Sequence, residues 1–222
     1  MFSKNKKMLP LLGAALAAVV TLVACGTTAG TGTPNENAGS GGGQERLTVA
    51  VQGNPVRLDP HNSNDSASSL INVQIFETLV RQTEDLEIEP LLAESYQQVD
   101  DRTWQFVIRE GVQFHNGDTL TIEDVAFSLE RAKNSPQVAE IVGMIDEIEI
   151  VDERTINVST EYPFAPFLRH LAHPAGSIVS KADVETVEGG GGDYGQNPIG
   201  TGPFVFEEFV SGDFTRFSVN ED

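Results

Sequence analysis

Cys25 is the single cysteine among 222 residues. A thiol is a strong nucleophile once ionised, so one cysteine in a chain that otherwise avoids it is a candidate for covalent chemistry. It closes the uncharged run MLPLLGAALAAVVTLVA, residues 8–24, and precedes a stretch of Gly and Thr. Standing alone, it excludes an intrachain disulfide. The four histidines come next. His170 and His173, three apart in FLRHLAHP, could share a helix face as metal ligands, but no third ligand stands near them. A surface or packing role is the plainer reading of that pair. His61 and His115 lie in turn-rich loops, where local hydrogen bonding is the simpler role. The carboxylate pairs Asp100-Asp101, Asp152-Glu153 and Glu207-Glu208 are sequence neighbours. Catalytic pairs must instead face each other across a cleft with separated pKa values. GxSxG, HExxH, CxxC and the P-loop pattern are absent, which weighs against hydrolase, zinc and nucleotide-binding readings. Gly200-Thr201-Gly202 lacks a third glycine and runs into Pro203, so it is no dinucleotide loop. The residues thus predict neither a cofactor nor a metal site.

Lys4, Lys6 and Lys7 precede the apolar run. That run is only 17 residues long and holds Pro10 and Gly13, which makes it marginal as a spanning helix. Residues 1–24 read as a secretory signal, the alternative being a single transmembrane anchor. Leu22-Val23-Ala24-Cys25 resembles the bacterial lipobox. That resemblance implies cleavage before Cys25 and transfer of a diacylglyceryl group to its thiol. Two or more acyl chains hold a protein firmly at a membrane, where one does so only marginally. Residues 25–44 then read as a linker: beyond Cys25, almost no side chain larger than Ala is apolar, so little can be buried to offset ordering entropy. A flexible coil of this length reaches roughly 25 Å. The expected location is the outer face of a cell membrane, or the periplasm.

Residues 45–222 number 178, enough for one ordinary domain with its own core. They hold 11 basic and 32 acidic residues, a net charge of −21. This argues against nucleic acid and anionic headgroups as partners, since both need positive surface. LTVAVQ (47–52) reads as a strand and GNPVRLDPHNSNDS (53–66) as a loop. A helix follows, with Leu70, Val73, Phe76 and Val80 on one stripe and Asp65 or Ser66 as its cap. Pro90 opens a short turn. Alternation in TWQFVI and in IDEIEI with INVST predicts two hairpins, turned at Asp100-Asp101 and at Asp152 to Arg154. Between them, TIEDVAFSLERAK is the clearest helix, capped by Thr121 with Asp124 three residues on. Short helices are expected in PFAPFLRHL and KADVETVE, and a third hairpin turns at Ser211-Gly212-Asp213. Trp104 and the phenylalanines fall at core spacings. The sum is α+β, mixed in character, because helices and strands do not alternate strictly.

VRLDPHNS, FETLV, PLLAESYQQVDDRTWQFVIREGVQFHNGDTLTIEDVAFSLER and NPIGTGPF, taken in order, closely resemble the family-five extracellular solute-binding proteins. These are the peptide and nickel receptors of ABC importers. The resemblance implies the type II periplasmic-binding fold, in which two lobes close over a ligand. On that template, residues 45–80 and 175–222 are the base of an incomplete first lobe. Residues 81–174 are an extra subdomain, and the second lobe is expected to follow residue 222. The resemblance also implies candidate ligand residues. In peptide-binding relatives the loop after the LDPH-like turn lays its main chain along the extended peptide. Here that loop is Asn62 to Ala67. Asn64 and Ser66 would offer backbone N–H and C=O groups for strand addition, and Asp65 is the loop's acidic side chain. Thr201, beside NPIGTG, is a weaker candidate, and ordinary loop structure remains the alternative for all four.

The function so implied is capture of extracellular di- or oligopeptides by a lipid-anchored monomer, for delivery to ABC permease subunits. Oligosaccharide, nickel chelate or haem would be alternatives on the same fold. An anchored extracellular enzyme, or a sensory lipoprotein that feeds no permease, is a competing class.

Overall fold

The computed structural model describes residues 46–221. The leader, Cys25 and the linker lie outside the described residues. Residues from Thr48 onward form one compact unit.

Asp65 caps the first helix, its Oδ1 accepting from Ser68 N at 2.8 Å. This helix, α1 (Ser66–Ile75), is shorter than expected. The Ile75 carbonyl accepts from Gly202 N at 2.8 Å, and Phe76 is already extended. A tertiary partner therefore takes the place of the next turn. Val80, read as the helix's last apolar position, instead opens β1 (Val80–Gln82), which pairs with β2 (Ile88–Pro90). The turn between them puts Leu86 at φ 65°, a left-handed conformation rare for a bulky residue. Pro90 ends a strand rather than opening a turn.

β3 (Ala93–Gln98) and β4 (Thr103–Ile108) form the first expected hairpin. Next come α2 (Ile122–Lys133) and the short α3 (Ala139–Val142), then the second hairpin, β5 (Ile145–Ile150) with β6 (Thr155–Thr160). The two turns share one chemistry. Asp100 accepts from the backbone N–H of Arg102 and Thr103 at 2.8 and 2.9 Å, and Asp152 accepts from Arg154 and Thr155 at 2.9 and 2.8 Å. Those bonds hold both carboxyls below the ordinary aspartate range. The hairpins join through β4 and β6 into an antiparallel sheet of order β3-β4-β6-β5. Its outer face carries a polar ladder that runs from Gln97 through Gln105 and Asn157 to Glu149.

The inner face of the sheet packs on α2. Thr121 and Asp124 make the expected capping box. Val125, Leu129 and Ala132 of α2 meet Phe106, Ile156 and Val158 in one large apolar cluster. α4 (Phe167–Leu171) adds Phe167 and Leu171 to it. α5 (Lys181–Gly189) is capped by Ser180 and contributes Val184 to a second, smaller cluster with Ile75, Phe76, Val179 and Tyr194. The third hairpin, β7 (Phe204–Val210) with β8 (Phe214–Val219), turns at Gly212, where φ is +83°.

Two expectations fail here, the second in part. LTVAVQ forms no strand and pairs with none among the described residues, and Leu47, Val49 and Val51 are exposed. Alternation alone marks a segment that could pair; a ladder also needs a neighbour. The expected stripe beginning in α1 holds only in part: Phe76 and Val80 are buried, as are Ser68, Asn72 and Ile75, whereas Leu70 and Val73 are 47% and 43% exposed.

Phe106 is fully buried and lies beside Tyr96. Its replacement in Phe106→Ala should lower unfolding stability by about 3–5 kcal/mol. The midpoint of urea denaturation reads this directly, and an unshifted midpoint would place the core elsewhere.

Candidate functional site

The LDPH turn is built around a buried ion pair. Asp59 is 1% exposed and accepts two hydrogen bonds from Arg131 of α2, Nη1 to Oδ1 at 2.9 Å and Nη2 to Oδ2 at 2.7 Å. Burial alone would raise the Asp59 pKa. The Arg131 hydrogen bonds and charge outweigh it and hold the carboxyl below its ordinary value. The guanidinium also meets Glu188 of α5 and lies over the Tyr194 ring, and its own pKa is raised further.

His61 completes the cluster. Its Nε2 donates to Ser177 O at 2.9 Å, and Nδ1 accepts from Arg131 Nη1 at 3.1 Å. These partners define a neutral imidazole. Burial first, then the Arg131 charge, pushes its pKa down to about 4. Further hydrogen bonds, local and distant in sequence, tie down the residues on either side of the ring. His61 N and Ser63 Oγ donate within the turn to Asp59, Ser135 Oγ donates to His61 O, and Asn72 Nδ2 donates to Ser63 Oγ at 3.3 Å.

The pinned turn presents the candidate residues at the start of α1. Asn64 and Ser66 are exposed. Among the described residues no hydrogen bond engages the backbone N–H of either. Both line a shallow depression of about 540 Å³ with Ser69, Leu70, Val73, His173 and Pro174. The Asn64 side chain donates to Glu140 of α3 at 3.0 Å. Asp65 is not in the lining; one of its oxygens is committed to the helix cap.

Thr201 is not brought to this depression. It is 7% exposed and stands at the other end of α1, about 15 Å of helix away. Its hydroxyl comes near the Glu77 carboxyl without good hydrogen-bond geometry. Burial raises the Glu77 pKa, against the opposing effects of Thr201, Arg109 and Arg81. The glycines around Thr201 serve close packing. A Cβ at Gly200 or Gly202 would collide with the Ile75 carbonyl. His115 fastens the same loop, with Nε2 on Gly202 O at 3.0 Å and its backbone N–H on Gly200 O at 2.9 Å.

The other histidines have separate partners. His170 Nδ1 donates to Ile141 O at 2.6 Å, and His173 Nδ1 accepts from Ala175 N at 3.1 Å. Trp104 packs against Tyr96 in the sheet and is not in the depression's lining. Sequence reasoning missed Leu70, Val73 and His173 as lining, because an aliphatic pair at helical spacing reads as core.

A model of the bacterial extracellular solute-binding proteins, family 5, middle region, matches residues 87–222. The chain belongs to this family of solute-binding proteins. It is 32% identical over 174 residues to the glutathione-binding protein GsiB of Salmonella typhi, covering 77% of this chain and 33% of that protein. Among solved structures it resembles the periplasmic binding protein DppA of Helicobacter pylori in complex with the peptide STSA. That match has TM-score 0.67 and 29% identity, over 76% of this chain and 38% of the other. A nickel ABC transporter structure from Bacillus halodurans matches with TM-score 0.64 and 35% identity, over 75% and 33%. The chain thus spans about a third of the length of the relatives it matches. The mixed α/β architecture is that of the periplasmic-binding structures.

Arg131→Ala leaves Asp59 buried without its cation and should cost about 3–5 kcal/mol of stability. Loss of the exposed Arg81–Glu89 pair in Arg81→Ala should cost less than about 1 kcal/mol. Equal losses in chemical denaturation would contradict the buried clamp. His61, neutral and buried, binds its proton less readily in the folded state. Stability should therefore fall as pH drops from 6.5 towards 4. His61→Gln should flatten that slope in pH-dependent urea melts.

Proposed function

We propose that this chain forms part of a lipid-anchored receptor that captures extracellular peptides for an ABC importer. The observation that carries the reading is the loop from Asn62 to Ser66. It is clamped by Asp59 and Arg131, and among the described residues its Asn64 and Ser66 N–H groups are unengaged. Backbone groups fixed beside an open depression suit strand addition, in which main-chain hydrogen bonds give affinity with little demand on side chains. Likeness to a peptide-bound DppA structure supports this ligand class. Binding and release, rather than catalysis, is the activity. Asn64 and Ser66 are the contacts, Asp65 holds the helix that carries them, and Thr201 acts by packing its loop beneath α1.

The architectural reading is a first-lobe base of residues 45–80 and 175–222, with 81–174 as an extra subdomain and a second lobe as the facing wall. Of the two apolar clusters, the larger is drawn mostly from residues 92–171 but takes in Leu79, Val80, Ala175 and Ile178 of the base, and the smaller is drawn from residues 75–76 and 179–194. Phe127 of α2 packs against the smaller cluster and Arg131 bonds Asp59, so α2 contacts both parts. The partners are permease subunits and, through Cys25, a membrane. The protein acts outside the cytoplasm as a monomer.

Isothermal calorimetry separates the ligand classes. Di- to pentapeptides should give saturable heat, and maltotriose, nickel and haemin should not. Heat from nickel alone would move the assignment to the metal-chelate branch. For the anchor, expression in a bacterial host with labelled palmitate should place the chain, labelled, in the membrane fraction. Cys25→Ser should abolish both label and sedimentation; a labelled variant would refute Cys25 as the attachment point.

A further inference from the structure

α1 buries Ile75 and packs Ile71 on the core, but it also leaves two aliphatic side chains outside. A surface helix ordinarily turns its aliphatic stripe inward, yet here Ser68 and Asn72 are buried while Leu70 and Val73 face out. Ser66, Ser69, Leu70 and Val73 fall at the i, i+3, i+4, i+7 spacing of one helix face, and all four line the depression. His173 and Pro174 wall its other side. No carboxylate, lysine or arginine is in that lining, in a chain whose net charge is −19. The imidazole of His173 accepts a backbone hydrogen bond on Nδ1, and burial lowers its pKa, so it adds no charge either.

We infer that this face is a side-chain subsite: Leu70 and Val73, walled by His173 and Pro174, receive one uncharged aliphatic side chain of an extended peptide whose main chain runs along Asn62–Ser66. The inference rests on the peptide reading above and specifies what that ligand carries. An extended peptide turns alternate side chains to opposite sides. A peptide held at the Asn64 and Ser66 N–H groups therefore directs one side chain over α1. Two exposed aliphatic residues stabilise a methyl-bearing side chain by excluding water. A carboxylate placed there would lose hydration and find no cation. A single methylene in an apolar pocket is worth about tenfold or more in discrimination.

The test is a methyl and amide NMR titration of the chain with millimolar alanyl-leucyl-alanine, trialanine and alanyl-glutamyl-alanine. The leucine peptide should shift the Leu70 and Val73 methyl resonances saturably, with a Kd at least about tenfold below that of the glutamate peptide and trialanine between them. The double variant Leu70→Asn, Val73→Asn changes only exposed positions and should collapse that difference. Equal Kd values for the leucine and glutamate peptides, with amide shifts confined to Asn64 and Ser66, would overturn the subsite and leave the peptide reading standing. No shift with any of the three peptides would overturn both.

Discussion

The pairing of Asp59 with Arg131 is the interaction on which the rest of the structure depends. Two charges taken from water are costly unless each finds its complement with good geometry. Here the guanidinium meets both carboxylate oxygens, and His61 fills the remaining space as a neutral ring. The consequence is mechanical. α2 belongs to the sheet-bearing part of the chain, and Asp59 belongs to the loop that leads into α1. Joining them fixes the height and angle at which Asn62–Ser66 leaves the surface. A loop that must offer backbone groups to a ligand gains from such fixing, because less ordering entropy remains to be lost on binding.

A second fastening holds the far end of α1. Gly200 and Gly202 press against the Ile75 carbonyl, and His115 grips the same loop from the side. The helix is thus held at both ends by segments distant in sequence. Its buried face sets Ile75 beside Ser68 and Asn72, and Asn72 bonds Ser63 there. Its outward face is aliphatic in part. The exposed Leu70 and Val73, which look like an error against core-packing rules, are what a wall facing a ligand would need.

Much of this architecture was legible in the residues. The aspartates of the two VDxRT turns, the Thr121 and Asp124 capping box and the alternation in TWQFVI are local signals, and local structure followed them. What was illegible depended on distant partners. The end of α1 is set by Gly202, over a hundred residues away, so the apolar spacing that continues to Val80 misled. LTVAVQ carries a strand's pattern without a neighbour to pair with among the described residues. In the site, Asn64 and Ser66 line the open depression, while Thr201 is buried at the other end of α1. Leu70 and Val73 escaped notice because hydrophobic periodicity reports amphipathicity and does not say which side is wet.

The central claim is that the clamped loop binds peptide through its own backbone. Amide hydrogen exchange at Asn64 and Ser66, measured by NMR with and without a saturating short peptide, tests it most directly. The account predicts fast exchange at both amides in the free chain and marked slowing when peptide is bound, with His61 and Ser63 little changed. Peptide binding that leaves both amides exchanging at their free rate, or that protects a different surface instead, would contradict it.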